Sequence, residues 1–189
     1  MGADKQTTGI IRFIVLFAVF APLCLAAWWG LLPHYAALLG AATVQILNLL
    51  TSINVDGYEV VSAGILHTAT EFVLEAQGQR YPLEIGHLVT NLPLYAALVL
   101  ATPALGWKRR IVVLAAGCML LAAGHLVFLV LAFRFPITIA EAPQLPTAVG
   151  EAFITLPFML WIVLAYWPHI RAFGASADAA SQNAGPPAD

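Results

Sequence analysis

Runs of close to twenty apolar residues fix what this chain can become. "IIRFIVLFAVFAPLCLAAWWGL" (10–31) and "IVVLAAGCMLLAAGHLVFLVLAF" (111–133) are as long as a helix needs to cross a hydrocarbon layer of roughly 30 Å. Of the 189 residues, 61% are hydrophobic and only 10% charged, too few polar side chains to cover that apolar surface in water. The pattern predicts an all-α integral membrane protein. A net charge of −2 and eight dispersed Lys and Arg give no reason to expect a nucleic-acid partner, which would need a basic face.

Apolar stretches fall at about 10–31, 34–50, 87–106, 111–133 and 146–167. The basic residues arbitrate which of them span. If all five cross, the eight Lys and Arg divide four against four in either orientation. If 34–50 is instead a non-spanning helix on the outer face, Lys5, Arg12, Lys108, Arg109, Arg110 and Arg171 fall inside, with Arg80 and Arg134 outside. The second arrangement follows the positive-inside bias. It gives four spanning helices in a single membrane domain (1–170) of a bacterial inner membrane, with both termini cytoplasmic. The first run lacks a convincing cleavage site and reads as an uncleaved anchor.

The extended polar region 51–86 lies between the outer helix and the second span. "TEFVLEAQGQRYPLEI" alternates around Gln77-Gly78, which predicts a strand pair, and Pro82 restricts its second strand to an edge. "DGYEVVSAG" predicts a further strand. The tail 171–189, small, polar and Pro-containing, predicts disorder.

Polar side chains at the span ends are the candidates for function. "EIGHLVTNLPLY" places Glu84, His87, Thr90 and Asn91 where the second span begins. His125 lies fifteen residues past Arg110, about 22 Å along a helix. Glu151 opens the last span and His34 follows the first, so titratable groups collect at one level. An ionisable group in a span is a functional candidate by default. Each also has a plainer reading: His125 as a neutral imidazole bonded to a neighbouring helix, with Gly124 allowing close approach, Glu151 as a helix-dipole partner, and Glu84 and His87 as interfacial solvation. His87, Thr90, Asn91, His125 and Glu151 stand as candidate binding residues. No HExxH or CxxC spacing marks a metal, and no cofactor is expected. "WKRR" and "HIR" are topology signals first and lipid-headgroup contacts second. Small residues in "AAGCMLLAAG" and "LLGAATV" offer surfaces for packing against other helices.

An anchor helix, an outer helix, a strand-rich segment and then "LYAALVLATPALGWKRRIVVLAAGCMLLAAGHLVFLVLAF" resemble the exosortase/archaeosortase superfamily of membrane transpeptidases. The resemblance implies work on the outer face, on proteins with C-terminal sorting signals. It also implies a Cys at the start of the 87–106 helix, an Arg on the next helix and a His on the last. Those positions depart here. The chain reads "EIGHLVTNLPLY" without a thiol, "GHLVFL" with His125 and Phe128, and "PTAVGEAFITLPFMLW" with Glu151. Cys24 and Cys118 lie within apolar runs, with no neighbouring cation to activate a thiolate. "TNLPLYAALVLATP" is most similar to the exosortase H-associated membrane proteins. That likeness implies a non-catalytic accessory protein whose partners are membrane lipid and an exosortase or its substrate's sorting helix. Two other readings stay open: a membrane enzyme using His87, His125 and Glu151, with or without a metal, and a structural subunit of an unrelated complex.

Overall fold

The computed structural model describes residues 2–50, 55–63, 69–76, 78–103, 105–135 and 144–166; the expected disordered tail 171–189 lies outside them. The chain is mostly helical with one small sheet. Helix α1 covers Gly2–Leu50, strands β1, β2 and β3 cover Val55–Ala63, Ala69–Ala76 and Gln79–Glu84, and α2 covers Gly86–Val89. Helices α3 and α4 cover Asn91–Ala101 and Trp107–Arg134, and α5 covers Gln144–Trp161, continuing as one π-helical turn over Ile162–Tyr166. Among the described residues, two helices are long and apolar enough to cross a membrane, Thr7–Leu50 and Trp107–Arg134, and two shorter apolar helices, Asn91–Ala101 and Glu151–Tyr166, pack with them.

The outer-face helix expected over 34–50 is not a separate element. It continues the first apolar run without a break, through Pro22 and Pro33. A proline removes one donor and crowds one carbonyl, which a long helix with tertiary support absorbs. One polar side chain and one carbonyl of this stretch hold the sheet. Asn48 Oδ1 accepts the Val55 N–H at 2.9 Å, and the Ala37 carbonyl accepts the Tyr58 hydroxyl at 3.0 Å. Thr43 returns its hydroxyl to the Leu39 carbonyl at 2.7 Å, the usual way to bury a hydroxyl within a helix.

The strand expectations hold. The sheet is antiparallel in the order β1-β2-β3, with Ala76 opposite Gln79 around a turn in which Gly78 takes φ +73°, a conformation open to glycine. Pro82 lies on the edge strand β3. Phe72 and Leu74 on β2 are fully buried against Leu32, Ala36, Leu39 and Leu47 of α1 and Leu129 and Phe133 of α4. Gly40 makes this possible, because a Cβ there would strike the Phe72 and Tyr58 rings.

A second core joins α3, α4 and α5 through Leu92, Tyr95, Val99, Val113, Leu121 and Ala165. Tyr95 crosses to α4, donating to the Val113 carbonyl at 2.7 Å, and its ring occupies the space above Gly117. The small residues of "AAGCMLLAAG" and "LLGAATV" therefore serve internal packing at Gly117 and Gly40, and Gly124 meets Phe153 of α5. The expectation that they form a surface for an outside helix is corrected at these glycines, which bulky aromatics inside the fold occupy.

Thr102 ties the opposite end together. Its hydroxyl donates to the Leu98 carbonyl at 2.8 Å and accepts from Trp161 Nε1 at 2.8 Å. Its carbonyl accepts Arg110 Nη2 at 2.8 Å. The short "ATP" turn thus sets where α3 ends, where α4 begins and where α5 passes. Phe13 of α1 stacks on Trp161 with ring centroids 5.5 Å apart.

Candidate functional site

Two prolines prepare the polar site at the level of the sheet. Pro93 has no N–H to offer the Val89 carbonyl, and the helical path divides at Thr90 into α2 and α3. Pro157 likewise leaves the Phe153 carbonyl of α5 without its i+4 donor. Asn91 Nδ2 reaches that carbonyl at 3.4 Å. One helix's missing donor is replaced by another helix's side chain.

His125, with no exposed surface, stands at the centre. Tyr35 of α1 lies on one side, its hydroxyl 2.7 Å from His125 Nδ1 and its ring edge-on at 78°. Phe153 lies on the other, its ring stacked on the imidazole with centroids 5.2 Å apart. If Nδ1 carried the proton, both the Tyr35 O–H and Nε2 would lack partners among the described residues. A Tyr35 O–H donating to Nδ1 leaves one donor, Nε2–H, and is the better assignment. The Leu88 main chain faces the ring, yet Nε2 makes no hydrogen bond of normal geometry. Asn91 Oδ1 is also buried without a partner among the described residues.

Of the residues singled out from sequence, the structure gathers Asn91 and His125 around Phe153. Thr90 lies at the α2–α3 joint, half-buried and with a contact of its own. His87 is placed within α2, but its side chain is outside the described residues, as is that of Glu84. Glu151 is exposed, and two residues along a helix place it about 200° from Phe153. The structure does not bring it to His125. Sequence reasoning missed Tyr35 and Phe153. A tyrosine next to His34 in an apolar run was the available signal for Tyr35; nothing marked Phe153 apart from the proline four residues later.

Below Tyr35, a groove of about 440 Å³ runs between α1, α3 and α4. Cys24 and Cys118 both line it, with Trp28, Leu92, Ala96 and Ala122. No imidazole, Lys or Arg shares that lining. Among the described residues, no cluster of three or more His, Cys, Asp or Glu could hold a metal ion.

No curated protein and no solved structure matches the chain. A family model does, the exosortase H-associated membrane protein model, over residues 7–156. That stretch takes in the first helix, the sheet, the Thr90–Asn91 joint, His125 and Phe153. The chain is a member of the exosortase H-associated membrane protein family.

Proposed function

We propose that this protein is a non-catalytic accessory subunit of an exosortase-type protein-sorting system, binding either the membrane-embedded enzyme or the sorting helix of its substrate. The family match over 7–156 carries the reading. The surroundings of the two thiols support it. A sorting transpeptidase needs a nucleophile beside a base or cation, and Cys24 and Cys118 stand instead in an apolar groove. Glu151, exposed on α5, and His125, sealed between Tyr35 and Phe153, favour a structural imidazole over an acid–base pair.

In this reading α1, α2–α3, α4 and α5 all cross an inner membrane, the termini are cytoplasmic and the sheet is periplasmic. Asn91, Thr90, His87, His125 and Glu151 mark the level at which the partner engages. Charge distribution supports the orientation: Arg12, Lys108, Arg109 and Arg110 share one end, while Asp56, Glu59, Glu71 and Glu75 are in the sheet.

The test is co-purification from native membranes in mild detergent, with the neighbouring exosortase tagged. Recovery together, lost when the sheet-level residues are altered, is the expected result. Recovery of this protein always alone from cells that contain the enzyme overturns the proposal.

A further inference from the structure

The two edges of the sheet are not alike. In the order β1-β2-β3, each outer strand has one side without a neighbour among the described strands. The register says which amides face outward there. The Ile85 N–H donates to the Thr70 carbonyl, so Thr70 turns its peptide groups away from its β1 partner, Ser62. Along an antiparallel ladder the pattern alternates. Glu59 and Val61 therefore bond β2, while Tyr58, Val60 and Ser62 turn their N–H and C=O outward. The same alternation leaves Pro82 of β3 facing the other edge. That edge is blunted, being six residues long with a proline where an outward donor would be. Strand β1 has nine residues and neither proline, Lys nor Arg. Its bulge at Val55–Gly57 and the Asn48 bond to the Val55 N–H close only its start. Among the described residues, no backbone group outside the sheet bonds the rest.

Side chains decide what strand fits beside it. Tyr58 and Val60 are turned to α1, where the Tyr58 hydroxyl bonds Ala37 and Val60 joins the core. Glu59 and Val61 are exposed on the opposite face, beside Glu71 and Glu75 of β2. Arg80 bridges Glu59 and Glu75, one cation for two carboxylates, and Glu71 has no described cation beside it. In a strand added antiparallel to β1, the residue opposite Glu59 falls in a non-hydrogen-bonded pair, where side chains come closest. A Lys or Arg is favoured there, and a like charge is repelled. Self-pairing meets that repulsion: centred on Tyr58, Glu59 or Val60, it sets Glu59 opposite or diagonal to Glu59 of a second copy. Segments 51–54, 64–68 and 136–143 of this chain contain no Lys or Arg to offer.

We propose that the β1 edge binds an extended segment of a different protein by strand addition, antiparallel to residues 58–62, with a Lys or Arg opposite Glu59. The main chain supplies affinity, and the acidic face selects the charge. The proposal depends neither on the sorting role nor on which side of the membrane the sheet faces.

Hydrogen exchange of the full chain in neutral detergent, read by mass spectrometry, tests it with three synthetic peptides. The first alternates Lys and Val, and the second alternates Glu and Val. The third is the Lys peptide with its Val amides N-methylated, which removes the donors that would face β1. Residues 57–63 should exchange more slowly with the Lys peptide. The Glu peptide should need on the order of tenfold more for the same slowing, and the N-methylated peptide should have no effect. Residues 79–84 should be unchanged throughout. Glu59→Gln, at an exposed position, should weaken the response to the Lys peptide up to about fivefold. Equal slowing by the Glu or the N-methylated peptide overturns the proposal, as does no slowing at 57–63 by the Lys peptide. Slow exchange there without peptide, growing with protein concentration, assigns the edge to a second copy. Slow exchange at every protein concentration assigns it to the chain itself, and either result overturns the proposal.

Discussion

The Tyr35 hydroxyl lies 2.7 Å from His125 Nδ1, joining α1 to α4 across ninety residues of sequence. Removing the hydroxyl leaves a buried imidazole nitrogen unsatisfied, which costs about 1–3 kcal/mol. Tyr35→Phe should therefore lower the thermal midpoint in detergent, whereas Tyr35→Phe combined with His125→Phe should recover part of the loss. An unchanged midpoint for the single variant would show that the pair contributes little.

Among the described glycines, Gly117 is the one that an added Cβ would crowd most. A Cβ would collide with the Tyr95 ring, and overpacking of this kind costs about 1–3 kcal/mol. Gly117→Ala should destabilise the protein, and Tyr95→Leu should rescue it in the double variant by vacating the space. Additive losses in the double-mutant cycle would count against direct contact.

Thr102 offers a sharper readout, because an indole is one of its partners. Thr102→Val keeps the shape but removes the acceptor of Trp161 Nε1. The half-buried N–H then lacks its bond, at a cost of about 1 kcal/mol. Trp fluorescence should shift relative to the parent, an effect absent from Thr155→Val, whose hydroxyl lies on the exposed side of α5. Identical spectra for both variants would contradict the geometry.

The surface ion pairs of Arg80 with Glu59 and Glu75 should matter much less. Arg80 and Glu59 are each more than half exposed, and the Glu75 contact is 3.2 Å. Exposed pairs of this kind contribute about 0–1 kcal/mol and weaken with salt. Arg80→Gln should shift the unfolding midpoint only slightly, and less so at high ionic strength. A loss as large as that of Tyr35→Phe would mean that the sheet depends on this arginine.

Orientation is testable on a background in which Cys24 and Cys118 are replaced. Gln79→Cys should react with an impermeant maleimide in outer-membrane-permeabilised cells, and Ala180→Cys only after lysis. The reverse pattern would place the sheet in the cytoplasm and remove the sorting role with it.

Much of this was legible in the sequence where a single element carries its own period. The alternation in "TEFVLEAQGQRYPLEI", its Gly78 turn and the edge position of Pro82 need no tertiary information. The shared level of Asn91, His125 and the start of the last span followed from helical rise alone. The continuity of α1 did not, because Pro33, His34 and Asn48 resemble a boundary until the sheet that uses Asn48 is in place. The direction of Glu151 and the role of Phe153 were hidden for a related reason. They depend on the carbonyl that Pro157 leaves open, and its partner Asn91 lies 62 residues away.

Helix α1 has 49 residues, about 73 Å of continuous rise, against roughly 30 Å of hydrocarbon. In the proposed topology such a helix is a boom stepped in the bilayer, and the sheet is lashed to its far end through Asn48, Tyr58 and Gly40. No slack linker intervenes along it to absorb movement. Long spans answer a change in bilayer thickness by tilting, and a small tilt at the root becomes a wide sweep at the tip. The sheet is held by α4 too, through Leu129 and Phe133, so in the proposed topology a thinner or thicker bilayer that tilted α1 and α4 together would swing the sheet toward or away from whatever waits beside it.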